Sequence, residues 1–283
     1  MIENINWYPG HMKKTRELIQ ENLKMVNLVI EVIDARIPVS SRNPIINELV
    51  QSKPRLVILN KSDLSDEEEN KKWCEHFKAE GSSVLAMNCM SGAGIQPLFR
   101  LLSGMQAESD EGRIRKKALR MMIVGVPNVG KSSLINRMTG KKSAKTGDRP
   151  GVTKGKQWLG LQNGMQLLDT PGILWPKFED PKAGLNLAFC GSIKDEILDT
   201  PTLALELIKV LQDDYPAELA ARYKLDELFE NPLETMEHIA QKRGFILPGK
   251  RTDYERTART VLDEFRAGII GKITLEKCGA AKE

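Results

Sequence analysis

The most informative run in the chain is Gly125-Val126-Pro127-Asn128-Val129-Gly130-Lys131-Ser132. It fits the pattern G-x-x-x-x-G-K-[ST], whose glycines let the chain curl so that backbone N–H groups point at the phosphates of a nucleotide. An apolar run over 119–125 predicts a strand before it, and a helix is predicted over 131–139. Because the helix adds the positive end of its dipole, the run predicts a phosphate-binding loop.

Two side chains of this phosphate loop are expected to contact the nucleotide and its metal. Lys131 is expected to reach the β and γ phosphates, and the Ser132 hydroxyl is expected to bind Mg²⁺. The remaining predicted nucleotide contacts of the loop are Asn128, Val129, Gly130 and Ser133.

Apolar runs alternate with helix-like stretches on either side of this loop, which is typical of a parallel sheet flanked by helices. Several runs are apolar at every position, as in strands that are covered on both faces. The other predicted strands are Leu28–Asp34, Arg55–Asn60, Ser83–Met87 and 165–169, with helices at about 66–80 and 95–103. The polar stretch 103–117 predicts a mobile linker before the strand that leads into the phosphate loop.

A change of character near residue 180 predicts two domains. Strand-like runs end there, and helical periodicity continues with prolines at intervals. We therefore expect an α/β domain over 1–180 and a small all-helical domain over 181–283. The first range holds 27 basic and 20 acidic residues and the second 15 and 18, so the positive surplus lies in the α/β domain.

A second motif, Asn60-Lys61-Ser62-Asp63, follows a predicted strand and matches N-K-x-D, the guanine-reading pattern of GTPases. The Asp63 carboxylate can accept hydrogen bonds from N1–H and the exocyclic amine of guanine, whereas adenine offers no such donor pair. Lys61 is expected to lie along the base, and Asn60 to tie this guanine loop to the phosphate loop. Alone, the pattern also fits a polar strand-to-helix turn, but beside a phosphate loop it predicts guanine specificity.

Two further elements fit loops that sense the γ-phosphate. Asp169-Thr170-Pro171-Gly172 ends a predicted strand and matches D-x-x-G. Asp169 is expected near Mg²⁺ through a water, and the Gly172 N–H is expected to bond the γ-phosphate. Upstream, Thr153 is a candidate switch residue whose hydroxyl completes the metal shell when the γ-phosphate is present.

The run Asn88-Cys89-Met90-Ser91-Gly92 follows the third predicted strand, where a GTPase places the loop that contacts guanine O6. The usual Ser-Ala-Lys is absent here. Only a backbone N–H contact can therefore be carried over, and Cys89 is the candidate for it, with Asn88 beside it.

These elements occur in the order N-K-x-D, O6 loop, phosphate loop, switch threonine and D-x-x-G, which is rotated relative to an ordinary GTPase. The chain therefore resembles the circularly permuted GTPases, and among them the bacterial ribosome biogenesis GTPase A (YlqF) family. The match extends to the stretches 7–12, 34–38, 145–151 and 169–177.

The resemblance implies a circularly permuted P-loop GTPase domain, Rossmann-like with a mostly parallel sheet, followed by the small all-α C-terminal domain. It also implies a slow GTPase that assembles the large (50S) ribosomal subunit, is stimulated by that subunit and uses hydrolysis for release. Its cofactor is then Mg²⁺, and its ligands are GTP and GDP. Its partners are the rRNA and the proteins of the large subunit. The alternatives are a GTP-dependent regulatory switch with a non-ribosomal protein partner and an ATPase.

The attacking water needs a positioning group, because Ile173 and Leu174 stand where Ras-like enzymes carry a glutamine. One candidate is His11, which can act as a base or orient water, but which can equally cap the N-terminal segment or contact a partner. The other is K⁺ bound at Asn128 and bridging the phosphates, although Asn128 can also simply support the loop. The predicted catalytic set is His11, Lys131 and Thr153.

Basic residues beside aromatic ones favour contacts with RNA. Lys13, Lys14 and Arg16 follow the pair Trp7-Tyr8. Such residues suit the rRNA backbone and splayed bases, although a charged run is also typical of a solvated face. A second basic stretch contains Lys242, Arg243, Lys250, Arg251, Arg256 and Arg259.

The composition predicts a folded cytoplasmic protein. Among 283 residues, 41% are hydrophobic and 28% charged, and no apolar run reaches the roughly 18 residues that a membrane span needs. The N-terminal residues predict no secretory signal, and four separated cysteines predict neither a disulfide framework nor a zinc site. We expect a protein that is monomeric when free and has no membrane partner.

Overall fold

The computed structural model describes residues 10–50, 53–110, 118–140, 157–169 and 180–279. Within these ranges it shows a six-stranded sheet with helices on both faces, followed by a helical region. The predicted α/β class with a mostly parallel sheet is confirmed. Among the helices of these ranges, none is both long enough and apolar enough to cross a membrane.

The sheet has its most buried strands at its centre. It contains β1 (Leu28–Asp34), β2 (Arg55–Asn60), β3 (Ser83–Met87), β4 (Arg120–Val124), β5 (Gln157–Gly160) and β6 (Gln166–Asp169). The spatial order is β3-β2-β1-β4-β6-β5, and all neighbours are parallel except β5, which pairs antiparallel with β6. The sequence predicts five of these strands. It misses β5 because a four-residue edge strand is too short to show a periodic pattern.

Helices cover both faces of the sheet, namely α1 (Gly10–Leu23), α2 (Pro44–Val50), α3 (Glu67–Ala79), α4 (Ile95–Asp110) and α5 (Lys131–Thr139). In β1, Ile30 and Val32 face the large core that α4 and α5 complete. Val29 faces the cluster formed with α1 and α2, and Ile33 faces the one formed with α3. Every residue of β1 is buried, which explains why this strand is apolar at nearly every position.

The stretch predicted as a mobile linker begins as a helix. α4 continues to Asp110, well past the predicted end at residue 103. Met105, within the stretch predicted as a linker, packs partly buried against the core, so a tertiary contact helps to hold a segment whose polar composition favours a loop. Residues 111–117 lie outside the described ranges.

After residue 180 the chain forms α6 (Pro181–Phe189), α7 (Thr200–Asp214), α8 (Pro216–Tyr223), α9 (Pro232–Arg243) and α10 (Tyr254–Arg266). α7 packs against the other four helices. Proline opens α6, α7, α8 and α9 at the first or second position, where its missing N–H costs no helical hydrogen bond. An antiparallel pair, β7 (Ile246–Leu247) and β8 (Arg251–Thr252), interrupts the helices, so the region is helical apart from this pair.

Beyond α10 the chain turns back onto the α/β region as an extended segment, residues 269–279, called here the C-terminal strap. Its backbone N–H groups at Ile273 and Leu275 donate to Leu64 O at 3.0 Å and Arg36 O at 2.8 Å. The strap and the shared core join the two predicted domains. The division into 1–180 and 181–283 stays a prediction.

Asp66→Ala should lower the free energy of unfolding by about 1 kcal/mol. The Asp66 carboxylate caps α3 by accepting from Glu68 N at 2.8 Å and Glu69 N at 3.1 Å. Urea unfolding followed by circular dichroism measures the loss. Asp213→Ala, at an exposed position of α7, is the control and should change stability by less than about 0.5 kcal/mol. Equal effects of the two substitutions would contradict the capping role.

Candidate functional site

The predicted site residues meet at one edge of the sheet. Because β1 to β4 are parallel, the loops that follow them lie side by side at their carboxyl ends. A cavity of about 1000 Å³ opens there, a volume typical of small-molecule and cofactor sites. From the α/β region it is lined by Lys61, Met90, Asn128, Gly130, Lys131, Ser132 and Ser133.

The phosphate loop joins β4 to α5 through a tightly curled backbone. Gly125, Asn128 and Gly130 have φ angles of 151°, 60° and 102°. The Lys131 ammonium donates to Gly125 O at 3.0 Å and to Val126 O at 2.7 Å. Lys131 is thereby held across the mouth of the loop, where the phosphates of a nucleotide would bind.

Asn60, the last residue of β2, joins the guanine loop to the phosphate loop. Its Nδ2 donates to Val129 O at 2.6 Å, while its Oδ1 accepts from Cys89 N at 2.9 Å. A Cβ at position 130 would collide with the Asn60 amide nitrogen. Gly130 must therefore be glycine both for its positive φ and for this close approach. The tie that the sequence predicts between the two loops is present.

The Cys89 backbone N–H, predicted to contact guanine O6, donates to Asn60 Oδ1 at 2.9 Å. A contact with guanine O6 would share this N–H between two acceptors, and it stays a prediction. The next two N–H groups, of Met90 and Ser91, donate to Asn88 Oδ1 at 2.8 and 3.0 Å. Asn88 and Cys89 hold the loop in shape, whereas Met90, 73% exposed, lines the cavity. Sequence reasoning missed Met90, although it stands where the lysine of Ser-Ala-Lys would be.

The Cys89 thiol is inert at neutral pH. The side chain is buried, and burial raises the pKa of the Cys89 thiol to about 12. A neutral, buried thiol is typical of a cysteine that serves packing.

A buried chain of charges lies behind the guanine loop. Asp34, at the end of β1, is 1% exposed and accepts from Lys61 Nζ at 2.8 Å and from Arg36 Nε and Nη2 at 3.0 and 2.8 Å. Burial disfavours the carboxylate, but the Arg36 guanidinium and the Lys61 ammonium outweigh it and hold the pKa of Asp34 well below its usual range. Asp34 thus fixes Lys61 at the cavity wall.

Sequence reasoning did not predict that Asp34 and Arg36 hold Lys61. It noted the two residues only within the stretch 34–38, which resembles the family. A usable signal was present. An acidic residue ends one apolar run and a lysine follows the end of the next, and parallel neighbouring strands place two such positions side by side.

Asp63, the predicted reader of the base, lies in an exposed turn after β2. The turn is closed by a hydrogen bond from Leu64 N to Lys61 O at 2.9 Å. The carboxylate is therefore open to a ligand while the backbone around it is bonded in place.

The helical region forms the opposite wall of the cavity. Residues 190–196 and Arg266 of α10 line it there. Asn128 Nδ2 donates to Gly191 O at 2.6 Å, and Arg266 forms two bonds of 2.7 Å with the Asp195 carboxylate. No sequence pattern indicated this wall, because its residues are far from the phosphate loop along the chain.

Four predicted site residues are described only in part or not at all. Thr153 and Gly172 lie outside the described ranges, as do the side chains of His11 and Asp169. The backbone of His11 belongs to α1, and Asp169 is the last residue of β6. β6 pairs with β4, the strand that leads into the phosphate loop.

The donor set suits a metal that is shared with the nucleotide. In the part of the chain that the structure describes, no group of three or more His, Cys, Asp or Glu side chains could hold an ion alone. Ser132, in the first turn of α5, lines the cavity and offers a hydroxyl oxygen. Mg²⁺ prefers oxygen ligands and usually completes its shell with substrate phosphates and water, so these residues fit it.

A phosphate loop and a guanine loop joined at the carboxyl edge of a parallel sheet define a P-loop GTPase. The guanine loop precedes the phosphate loop in the chain, so the domain is circularly permuted.

Comparison with known proteins identifies the family. Residues 120–233 match the family model described as a 50S ribosome-binding GTPase. The chain is 45% identical to ribosome biogenesis GTPase A of Bacillus cereus, over 96% of this chain and 93% of that protein. It is 33% identical to mitochondrial ribosome-associated GTPase 1 of Bos taurus, over 96% of this chain and 88% of that protein.

A solved structure shows the same fold. The crystal structure of GNP-bound YlqF from T. maritima has a TM-score of 0.67 and 30% identity, and the alignment covers 94% of this chain and 99% of that one. The chain belongs to the ribosome biogenesis GTPase A family, and it is an enzyme that hydrolyses GTP.

Gly130→Ala should abolish nucleotide binding, because the new methyl group would push the Asn60 amide away from both loops. Titration with fluorescent GDP measures binding, and thermal unfolding reports the state of the fold. Gly140→Ala is the matched control: Gly140 also has a positive φ, 66°, but a Cβ there meets no atom within 4 Å. The control should cost about 1–2 kcal/mol of stability and leave affinity within about twofold. Wild-type GDP affinity in Gly130→Ala would contradict the joining of the loops.

Proposed function

We propose that this GTPase is an assembly factor for the large (50S) ribosomal subunit, which stimulates hydrolysis, and that hydrolysis serves for release. The observation that carries the proposal is the guanine loop joined to the phosphate loop in a chain 45% identical to ribosome biogenesis GTPase A. The match to the family described as a 50S ribosome-binding GTPase supports the choice of subunit.

The proposed guanine site is the loop after β2. Asp63 reads N1–H and the exocyclic amine of the base, and Lys61, held by Asp34, lies along it. Asn60 keeps this loop at a set distance from the phosphate loop. Two subsites held in advance at the right separation reduce the cost of ordering them on binding.

The proposed phosphate site is the loop over 128–133, with Lys131 on the β and γ oxygens. Ser132, Thr153 and Asp169 would hold Mg²⁺, which would stabilise the negative charge of the phosphates. The Gly172 N–H distinguishes GTP from GDP by its bond to the γ-phosphate.

Hydrolysis requires a group that replaces the missing glutamine. We assign K⁺ at Asn128 as one contributor: its amide nitrogen donates to Gly191 O, so its amide oxygen is the atom that can ligate the ion. A cation there adds positive charge beside the transferred phosphoryl group. His11 is the candidate that orients water.

The basic stretch of the helical region is only partly available to RNA. Lys242 and Arg243 form ion pairs with acidic side chains of the same region. Lys250 and Arg251 are exposed at the turn between β7 and β8, next to the exposed apolar side chains of β7. This turn is the part of the stretch that best suits the rRNA backbone.

We also propose that the protein acts in the cytoplasm, is monomeric when free and has no membrane partner.

GTP hydrolysis by the purified protein should be slow and should rise by at least about tenfold with purified large ribosomal subunits, because the partner completes the site. The rate should be higher in K⁺ than in Na⁺ buffer. Phosphate release is measured in both salts, with small subunits as the control. A rate indifferent to large subunits would favour a regulatory switch with a non-ribosomal protein partner.

Asp63→Asn should weaken GDP binding by about 10- to 100-fold, the range expected for lost hydrogen bonds to a charged group, and should improve binding of xanthosine diphosphate. The amide can donate to the C2 oxygen of xanthine, where the carboxylate accepted from the guanine amine. Competition against fluorescent GDP measures the affinities for GDP and for xanthosine diphosphate. Asp213→Asn, at an exposed position of α7, is the control. Unchanged GDP binding together with ATP turnover would instead indicate an ATPase.

A further inference from the structure

The C-terminal strap contacts the turn that carries the base-reading carboxylate. Ile273 N donates to Leu64 O at 3.0 Å, one residue after Asp63. Thr274 Oγ1 accepts from Asp66 N at 3.0 Å. Both bonds engage the backbone just after Asp63, so the position of the strap sets the position of that turn.

Packing and a tyrosine hydroxyl fix the strap itself. Ile273 and Thr274 are 1% and 0% exposed, and Leu64 lies so close to Gly268 that a Cβ there would come within 2.7 Å of it. The hydroxyl of Tyr215, the residue between α7 and α8, donates to Thr274 O at 2.7 Å and accepts from Thr274 N at 3.0 Å. The strap is therefore anchored to the helical region on one side and to the guanine loop on the other.

A second connection runs through Arg36. Its guanidinium, 1% exposed, pairs with Asp34, which in turn holds Lys61. On its other side, Nη1 faces Phe265 O and Arg266 O at 3.5 and 3.4 Å. These carbonyls end α10, where the helix dipole places partial negative charge. A continuous chain of charges thus joins the last turn of α10 to the guanine loop.

Both connections reach the guanine loop without lining the cavity. Thr274 and Arg36 are absent from the described residues around it. A buried Arg–Asp pair adds little net stability, because desolvation offsets the attraction. The Arg36–Asp34 pair instead sets an orientation. Arg36 fixes the Asp34 carboxylate, and the fixed carboxylate then holds Lys61 in one position.

We propose that Arg36 and the C-terminal strap position the guanine loop, so that the helical region controls how tightly and how selectively this GTPase binds guanine nucleotides. The inference rests on the proposed reading of guanine by Lys61 and Asp63. Arg36 and Thr274 are positioning residues that act through that loop. Because such coupling is reciprocal, a partner that displaces the strap weakens guanine binding, and a bound guanine nucleotide favours the docked strap.

Thr274→Val tests the strap, because it keeps the shape of the side chain and removes the acceptor of the Asp66 N–H. Thr274→Ser restores a hydroxyl and should rescue the variant. Thr257→Val is the matched control, since Thr257 in α10 is also 0% exposed and its hydroxyl donates to Asp253 O at 2.7 Å. Arg36→Lys keeps the charge but loses the paired bonds to the carboxylate.

The full-length variants are titrated with fluorescent GDP, with GDP and inosine diphosphate as competitors. Inosine lacks the exocyclic amine, so the ratio of the two affinities reports how well Asp63 is placed. Thr274→Val and Arg36→Lys should weaken GDP binding by about three- to tenfold, as expected for one lost hydrogen bond, and should lower the preference for GDP over inosine diphosphate. Thr257→Val should leave that preference unchanged, because a loss of overall stability affects both ligands alike.

Two outcomes overturn the proposal in distinguishable ways. If Thr274→Val and Arg36→Lys keep the wild-type preference, as Thr257→Val does, the positioning role is wrong. If Asp63→Asn also keeps it, the assignment of the guanine loop itself fails. Thermal unfolding identifies variants that do not fold. If Arg36→Lys does not fold, the positioning role is judged from the nucleotide preference of Thr274→Val and its rescue by Thr274→Ser.

Discussion

One side-chain amide, that of Asn60, holds the nucleotide site together. β2 and β4 are separated in the sheet by β1, yet the Asn60 amide reaches Val129 O in the loop after β4 and Cys89 N in the loop after β3. The absent side chain of Gly130 provides the space for it. Three loops that are far apart along the chain are thereby held at set distances, so base and phosphates can be bound by one rigid site.

The circular permutation leaves this site intact and changes what is attached to it. The helical region follows the D-x-x-G motif at 169–172 in the chain, and the structure brings it back to the cavity at two places. Gly191 contacts Asn128 of the phosphate loop, and the C-terminal strap contacts Leu64 beside the guanine loop. A movement of the helical region would therefore act both on the phosphate loop and on the turn that contains Asp63.

The sequence predicts β1, β2 and β4 well, because strands covered on both faces are apolar at nearly every position. It also predicts β6 and the partly buried edge strand β3. The short strands β5, β7 and β8 give too little pattern, and the last turns of α4 pack on the core through the partly buried Met105, which lies beyond the predicted end of that helix. Cys89 illustrates the same limit in the site, because the bond that occupies its N–H comes from Asn60, a distant residue.

The amino-acid sequence alone was enough to establish the fold class, the family and the class of nucleotide. Those conclusions depend on short motifs whose chemistry is local, such as the curl of the phosphate loop and the carboxylate of Asp63. The tertiary structure alone showed that Asp34 bonds both Lys61 and Arg36 and that Thr274 of the strap bonds the backbone of Asp66. These roles arise from contacts between segments far apart in the chain, which fold together only when the whole core packs, and no local pattern of residues records them.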